Sequence, residues 1–218
     1  MRAAAWGEYR YGVHRGADSL LAVFVGTGVG SGAVFDGRLW RGAGNGAGEL
    51  GHTQVVVEGL SCACGARGCL EQYVSGRGFR RRFRDALAAN VKTRLHALTE
   101  GDLEALDASM VAAAAHAGDD LARRLWSDAT QYLTLAVANY VTLLNPQILV
   151  LGGGLFAAVP ELFDAVAGGI LKSTTELARG SLSIERARLG DWAGVLGAAA
   201  LASPSEGGFA PLPTVVAR

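Results

Sequence analysis

Apolar positions along the chain fall into two kinds of block, short continuous runs and longer stretches with helical spacing. Ala3 to Tyr9 is made of good helix formers and reads as the end of a helix. A polar stretch through Gly16, Ala17 and Asp18 leads to LLAVFV at Leu20 to Val25, which predicts a strand. A glycine cluster, Gly26 to Gly32, comes next, then AVF, Asp36-Gly37 and RLW. Asp-Gly between two short apolar segments predicts a two-residue hairpin turn, so the glycine cluster joins strands and does not open a helix. Residues 42 to 70 are glycine-rich, and only the β-branched run Thr53 to Val57 looks regular there.

From Leu70 to about Ala89 the spacing turns helical, with an exposed basic face at Arg77, Arg80, Arg81, Arg82 and Arg84. Two further helices are predicted over Leu103 to Ala117 and Asp119 to Leu144, with Asp119 or Asp120 capping the second. ILVLGGGL, Ile148 to Leu155, reads as a buried strand ending in a glycine turn. A helix near Pro160 to Ser173, a strand at Leu182 to Ala187, a helix at Trp192 to Ala202 and a loose tail from Pro204 complete the chain. Alternating strands and helices in the second half argue α/β. Ala129 to Pro160 holds no acidic or basic residue and must be weighed as a membrane span. Asn145-Pro146 interrupts it, which favours a buried helix followed by a buried strand.

The 218 residues carry 20 Lys+Arg against 20 Asp+Glu. Zero formal charge gives no bulk reason to expect nucleic acid or an anionic membrane as partner. Half the residues are hydrophobic and only three are cysteine, which excludes disordered and disulfide-framework classes. The N-terminus has no signal-peptide run, so a cytoplasmic protein is expected. Glycine is the outlier at 31 residues, roughly double its usual share.

Glycines 26, 28, 30 and 32 with Thr27 and Ser31 resemble a phosphate-cradling loop, because glycine backbones approach phosphate closely and a hydroxyl beside them can donate. A plain β-turn explains them equally well, and the loose GxGxxA match at Gly28, Gly30 and Ala33 lacks the following helix that a dinucleotide site needs. His52, Cys62, Cys64 and Cys69 have the order H-x9-C-x-C-x4-C. One imidazole and three thiolates suit a closed tetrahedral zinc site that orders a loop poor in apolar residues. The alternative is three small buried cysteines in a reducing compartment. Glu49, His52 and Glu71 bracket this loop and suit the gripping of vicinal sugar hydroxyls, although from the residues alone solvated charge is the simpler account. The arginine run lacks interleaved aromatics apart from Phe79 and Phe83 and reads as a solvated face. Gly152 to Gly154 either lets a ligand lie against the backbone or makes a strand-to-helix turn.

In order, GTGVGSGAVFDGRLWRGAGNGAGELGH and GLSCACGARGCLEQYVSG strongly resemble the repressor, open reading frame, kinase (ROK) family of bacterial sugar kinases and regulators. AAAWGEYRYG, LVLGGGL and LGDWAGVLGAAALA look most like the ATP-dependent glucokinases of that family, and the likeness spans residues 3 to 203. It implies an actin-like, hexokinase-type (ribonuclease H-like) α/β fold of two domains closing on a cleft. Gly26, Thr27 and Gly28 would match a phosphate-contacting loop, and Gly152, Gly153 and Gly154 an adenosine-side turn. Glu49, His52 and Glu71 would contact the sugar, while His52, Cys62, Cys64 and Cys69 would hold structural zinc. His52 would serve metal and sugar with one nitrogen each. The co-substrates implied are ATP, with magnesium, and a hexose, glucose before others.

The resemblance also implies an Asn-Asp pair just before the A-A-A-x-G-E helix, its Asp being the general base, and a D-x-G-G-T phosphate loop in an N-terminal domain. Both would lie upstream of Met1. The expectation is therefore a chain truncated at its N-terminus: residues 1–17 a remnant or hinge helix, 18–190 the C-terminal domain with a zinc loop at 52–69, 191–203 a helix that would pack on the missing domain, and 204–218 a tail. No residue here is expected to act as the catalytic base, and the chain alone is expected to be inactive or nearly so. Apolar surface left exposed makes a homo-oligomer expected. A non-catalytic, sugar-binding regulator of the same family is the alternative function.

Overall fold

The computed structural model describes residues 1–13 and 17–202. The loose tail expected from Pro204 lies outside the described residues. Five strands form one sheet: β1 (Ser19–Val25), β2 (Val29–Phe35), β3 (Arg38–Leu39), β4 (Ile148–Gly152) and β5 (Ser183–Arg186), in the order β3-β2-β1-β4-β5. β1 is antiparallel to β2 and parallel to β4, and β4 is parallel to β5. Asp36 and Gly37 both take positive φ at the β2–β3 turn, the left-handed pair that a tight hairpin requires.

The helices are α1 (Arg2–Tyr11), α2 (Glu71–Val74), α3 (Gly76–Ala88), α4 (Leu95–Leu98), α5 (Ala108–His116), α6 (Asp120–Leu144), α7 (Gly154–Ala158), α8 (Glu161–Ser173), α9 (Glu176–Ser181) and α10 (Ala193–Ala202). They cover both faces of the sheet. Leu21, Val23 and Val25 of β1 face the larger core, built with Phe79, Phe83, Leu125, Leu133 and Val137. Leu20, Ala22 and Phe24 face a smaller one with Trp6, Tyr9, Ala193 and Ala200. A strand buried on both faces reads as a continuous apolar run, as LLAVFV does. The apolar stretch 129–160 divides into the end of α6, the left-handed Asn145 that closes it, and buried β4. No helix among the described residues is long and apolar enough to cross a membrane.

Three local expectations need correction. Thr53 to Val57 forms no regular element: it wraps the cysteine loop, with an isolated bridge from Gln54 to Cys69 and the Val55 N–H donating to the Gly68 carbonyl at 2.9 Å. The helix from Leu70 breaks at extended Ser75, whose hydroxyl caps α3 by accepting from the Gly78 N–H at 3.0 Å. Its basic face is not simply solvated either, since Arg80, Arg81 and Arg82 are half-buried. The segment 103–117 is also divided, a 3-10 turn at Leu103–Ala105 preceding α5, which Asp107 caps.

α10 crosses α1 at a pair of glycines, Gly7 and Gly197. Ala193, Gly197 and Ala200 are buried there, while Trp192, Val195 and Leu196 remain exposed. Glu8 of α1 is fully buried, and its carboxylate accepts from the Arg188 and Leu189 N–H groups at 2.9 to 3.2 Å. Those bonds fix the segment that leads from β5 into α10.

Candidate functional site

β1 and β4 run parallel, so their carboxyl ends lie side by side, and each ends in a glycine turn. A Cβ added to Gly26 would stand 3.7 Å from the Gly154 amide. The two glycine clusters, 126 positions apart in the chain, are therefore neighbours at the edge where open α/β sheets bind ligands. Gly153 has φ +94°, and a Cβ there would stand 2.4 Å from the Val25 carbonyl oxygen, so only glycine fits. Beside it lies a cavity of about 590 Å³ lined by Phe24, Gly152, Gly153, Gly154, Arg186 and Asp191, among others.

The Gly26 to Gly28 turn is tied to the start of α2 and α3. The Gly76 N–H donates to the Gly26 carbonyl at 2.9 Å and the Arg77 N–H to that of Thr27 at 3.3 Å. Glu71, whose side chain is 14% exposed, accepts from the Val29 N–H through Oε2 at 2.8 Å and faces Arg77 through Oε1 at 3.4 Å. A Cβ on Gly28 would lie 2.6 Å from that Oε2, which explains glycine at this position. Gly51 is equally constrained by the Val29 carbonyl at 2.4 Å. One residue of β2 thus meets both flanks of the cysteine loop: its amide bonds Glu71, and its carbonyl packs closely against Gly51 of the Leu50–His52 turn. Glu49 is largely exposed, with Oε2 3.9 Å from His52 Nε2.

His52, Cys62, Cys64 and Cys69 converge so that their ligand atoms all lie within 4.8 Å of one another. His52 Nδ1 is 3.6 Å from Cys62 Sγ, and Cys64 Sγ is 3.6 Å from Cys69 Sγ. A tetrahedron with zinc's bond lengths has edges of about 3.8 Å between sulfurs and about 3.6 Å between sulfur and nitrogen. The donor set therefore fits a small tetrahedral ion. Burial and the neighbouring thiols push the Cys69 thiol up to about 12, while the Ala66 backbone and the Cys62 side chain hold Cys64 below its ordinary value.

Arg77, which faces Glu71 at 3.4 Å, was not legible as a site residue, because the break at Ser75 that brings it there carries no motif.

The ROK family model matches residues 1–205. The chain belongs to the ROK family. It is 33% identical over 207 residues to a glucokinase of Streptomyces coelicolor, covering 92% of this chain and 64% of that protein. It is 34% identical over 194 residues to an N-acetyl-D-glucosamine kinase of Pasteurella multocida, covering 84% and 58%. Among solved structures, the ROK glucokinase from Streptomyces griseus in complex with glucose and AMPPNP superposes with a TM-score of 0.75 at 32% identity, covering 92% of this chain and 65% of that one. This ROK chain therefore spans about two-thirds of the length of those glucokinases, and the superposition identifies its actin-like, hexokinase-type architecture.

Proposed function

We propose that this chain carries the hexose-gripping and zinc-bearing portion, and one side of the nucleotide cradle, of an ATP-dependent kinase that phosphorylates glucose or a related hexose at O6. The observation that carries this is the two-sided placement of His52: Nδ1 faces the cysteine cluster at 3.6 Å, and Nε2 faces Glu49 at 3.9 Å. Bound zinc supplies a fixed charge that locks one imidazole tautomer and orders the loop. His52 then presents Nε2–H as a donor toward the sugar. Glu49 accepts from a neighbouring hydroxyl, while Glu71, whose Oε2 is held by Val29, offers Oε1. The turn Gly26, Thr27 and Gly28, closed by the Gly26 N–H donating to the Gly28 carbonyl at 2.9 Å, and the turn Gly152, Gly153 and Gly154 flank the place where ATP, entering with magnesium, would lie.

Phosphoryl transfer depends on holding the hydroxyl and the γ-phosphate in line and on neutralising charge between them. These residues position the sugar and one side of the phosphates, and none of them is assigned as the base. The test is a coupled ADP-release assay on the native polypeptide purified from its source, with glucose, mannose and N-acetylglucosamine as substrates. Hexose-dependent ADP release is expected from a polypeptide that supplies a catalytic base and a further phosphate loop alongside these 218 residues, and little or none from these residues alone. Hexose binding without ADP release would replace the kinase with a sugar-responsive, non-catalytic relative, and absence of hexose binding by folded, zinc-loaded protein would overturn the sugar site itself.

A further inference from the structure

The arginines of α3 are not equivalent. Arg77 faces Glu71, Arg80 and Arg84 face Glu104, and Arg82 faces Asp128. Arg81 alone among the five has no carboxylate within 4 Å among the described residues. It donates instead to three neutral oxygens: Nη1 to the Ser61 carbonyl at 2.5 Å and to Gln72 Oε1 at 2.9 Å, and Nη2 to the Ser61 hydroxyl at 3.0 Å. Ser61 immediately precedes Cys62. Gln72 in turn places Nε2 3.5 Å from Cys62 Sγ.

The direction of this chain of bonds follows from chemistry. A guanidinium has donors only, so the Gln72 oxygen must face Arg81, and the amide nitrogen is left to donate to the sulfur. Arg81 therefore grips Cys62 from two sides, through the backbone and hydroxyl of Ser61 and through the oriented amide of Gln72. Three thiolates and a neutral imidazole around a doubly charged ion leave the cluster with one net negative charge. A half-buried arginine without a carboxylate partner, one residue removed from a coordinating sulfur, is placed to offset that charge.

We propose that Gln72 and Arg81 form an outer layer of the metal cluster that holds the Cys62 sulfur in its ligating position and balances the charge of the loaded site, and so governs how tightly the ion is retained. They are positioning residues, acting on the cluster through Cys62. The proposal rests on the reading of the cluster as a zinc site and makes the retention of zinc by this chain a property of α2 and α3 as well as of the loop.

The experiment measures zinc content and zinc release to the chromogenic chelator 4-(2-pyridylazo)resorcinol for the full chain and for Gln72→Glu, Arg81→Met, Arg81→Lys and Arg84→Met. Gln72→Glu exchanges one donor for a charged acceptor without changing size. It should speed release by about 10- to 100-fold, the usual weight of an outer partner. Arg81→Met should act in the same direction, and Arg81→Lys, which keeps the charge and loses the fork, should fall between it and the parent. Arg84→Met, on the same helix, should release at the parent rate. Cobalt substitution gives a readout that a purely structural role would not move: the tetrahedral d–d bands should persist in Gln72→Glu while the thiolate-to-cobalt charge-transfer band shifts. Should Arg81→Met fail to fold, Gln72→Glu and Arg81→Lys still decide. Parent-like release and an unshifted band in both would overturn the outer-layer proposal while leaving the zinc reading intact. A parent protein that purifies without stoichiometric zinc and takes none up would overturn the zinc reading first.

Discussion

Replacing Gly197 by alanine isolates the closest backbone approach in the smaller core. A Cβ at that position would stand 1.6 Å from the Ala3 carbonyl oxygen, 2.6 Å from its carbon and 2.8 Å from the Gly7 amide nitrogen. All three are backbone atoms of α1, so no side chain can rotate aside. Ordinary contact requires the helices to separate by about 2 Å locally, which also thins the packing around Trp6 and Ala193. Overpacking of this kind costs about 1–3 kcal/mol and occasionally more. Alanine returns at most about 1 kcal/mol of helix propensity over glycine. Steric cost wins, and a net loss of about 1–2 kcal/mol should lower the melting temperature of a chain this size by roughly 2–8 °C. Gly194 on the same helix is the matched control, because a methyl group added there would meet nothing within 4 Å: Gly194→Ala should melt at or slightly above the parent. Calorimetry of zinc-saturated samples reads both. A Gly197→Ala protein as stable as Gly194→Ala would refute the close helix crossing.

Other consequences are independent of that crossing. Burial pushes the Asp119 carboxyl up, but hydrogen bonds from Ala122, Arg94 and Thr93 outweigh it and hold it below the ordinary value. Its contribution is therefore complete above about pH 5 and is lost as pH falls through the lowered folded value; Asp119→Asn should flatten the acid limb of a stability–pH curve, and an unchanged limb would contradict the assignment. Glu8→Ala leaves two inward-facing amides without an acceptor and should cost about 3 kcal/mol in a denaturant titration; an unmoved midpoint would count against the buried pin. Stripping the metal should open the cysteine loop, so that trypsin cuts after exposed Arg67 in the stripped protein and not after zinc is restored. Equal cleavage in both forms would show that the ion does not order the loop.

Much of this architecture is written locally in the chain. LLAVFV and ILVLG are strands because each is buried on both faces, and Asp36-Gly37 specifies its own turn. The cysteine cluster is legible because its ligands fall within eighteen residues, so spacing alone limits the geometry. Thr53 to Val57 shows the limit of propensity: its β-branched residues are drawn around the loop by backbone bonds to Gly68, and no partner strand is in reach among the described residues. The short helices α4 and α9 escape periodicity because four and six residues span too few turns to show it. Long-range placements are equally hidden. The approach of Gly26 to Gly154 and the bond from Val29 to Glu71 join residues far apart in sequence, and the parallel pairing of β1 with β4 and the return of the cysteine loop onto β2 create them.

A metal-fixed His52 that grips a hexose together with Glu49 and Glu71 is the centre of the function proposed for this chain. Isothermal titration of glucose into the zinc-loaded chain and into the same chain after chelation tests it most directly. Measurable binding with zinc that weakens at least about tenfold without it is the predicted result, the lower end of what loss of an ordering metal partner does. Equal affinity in the two forms, or no heat from folded, zinc-loaded protein, would contradict it.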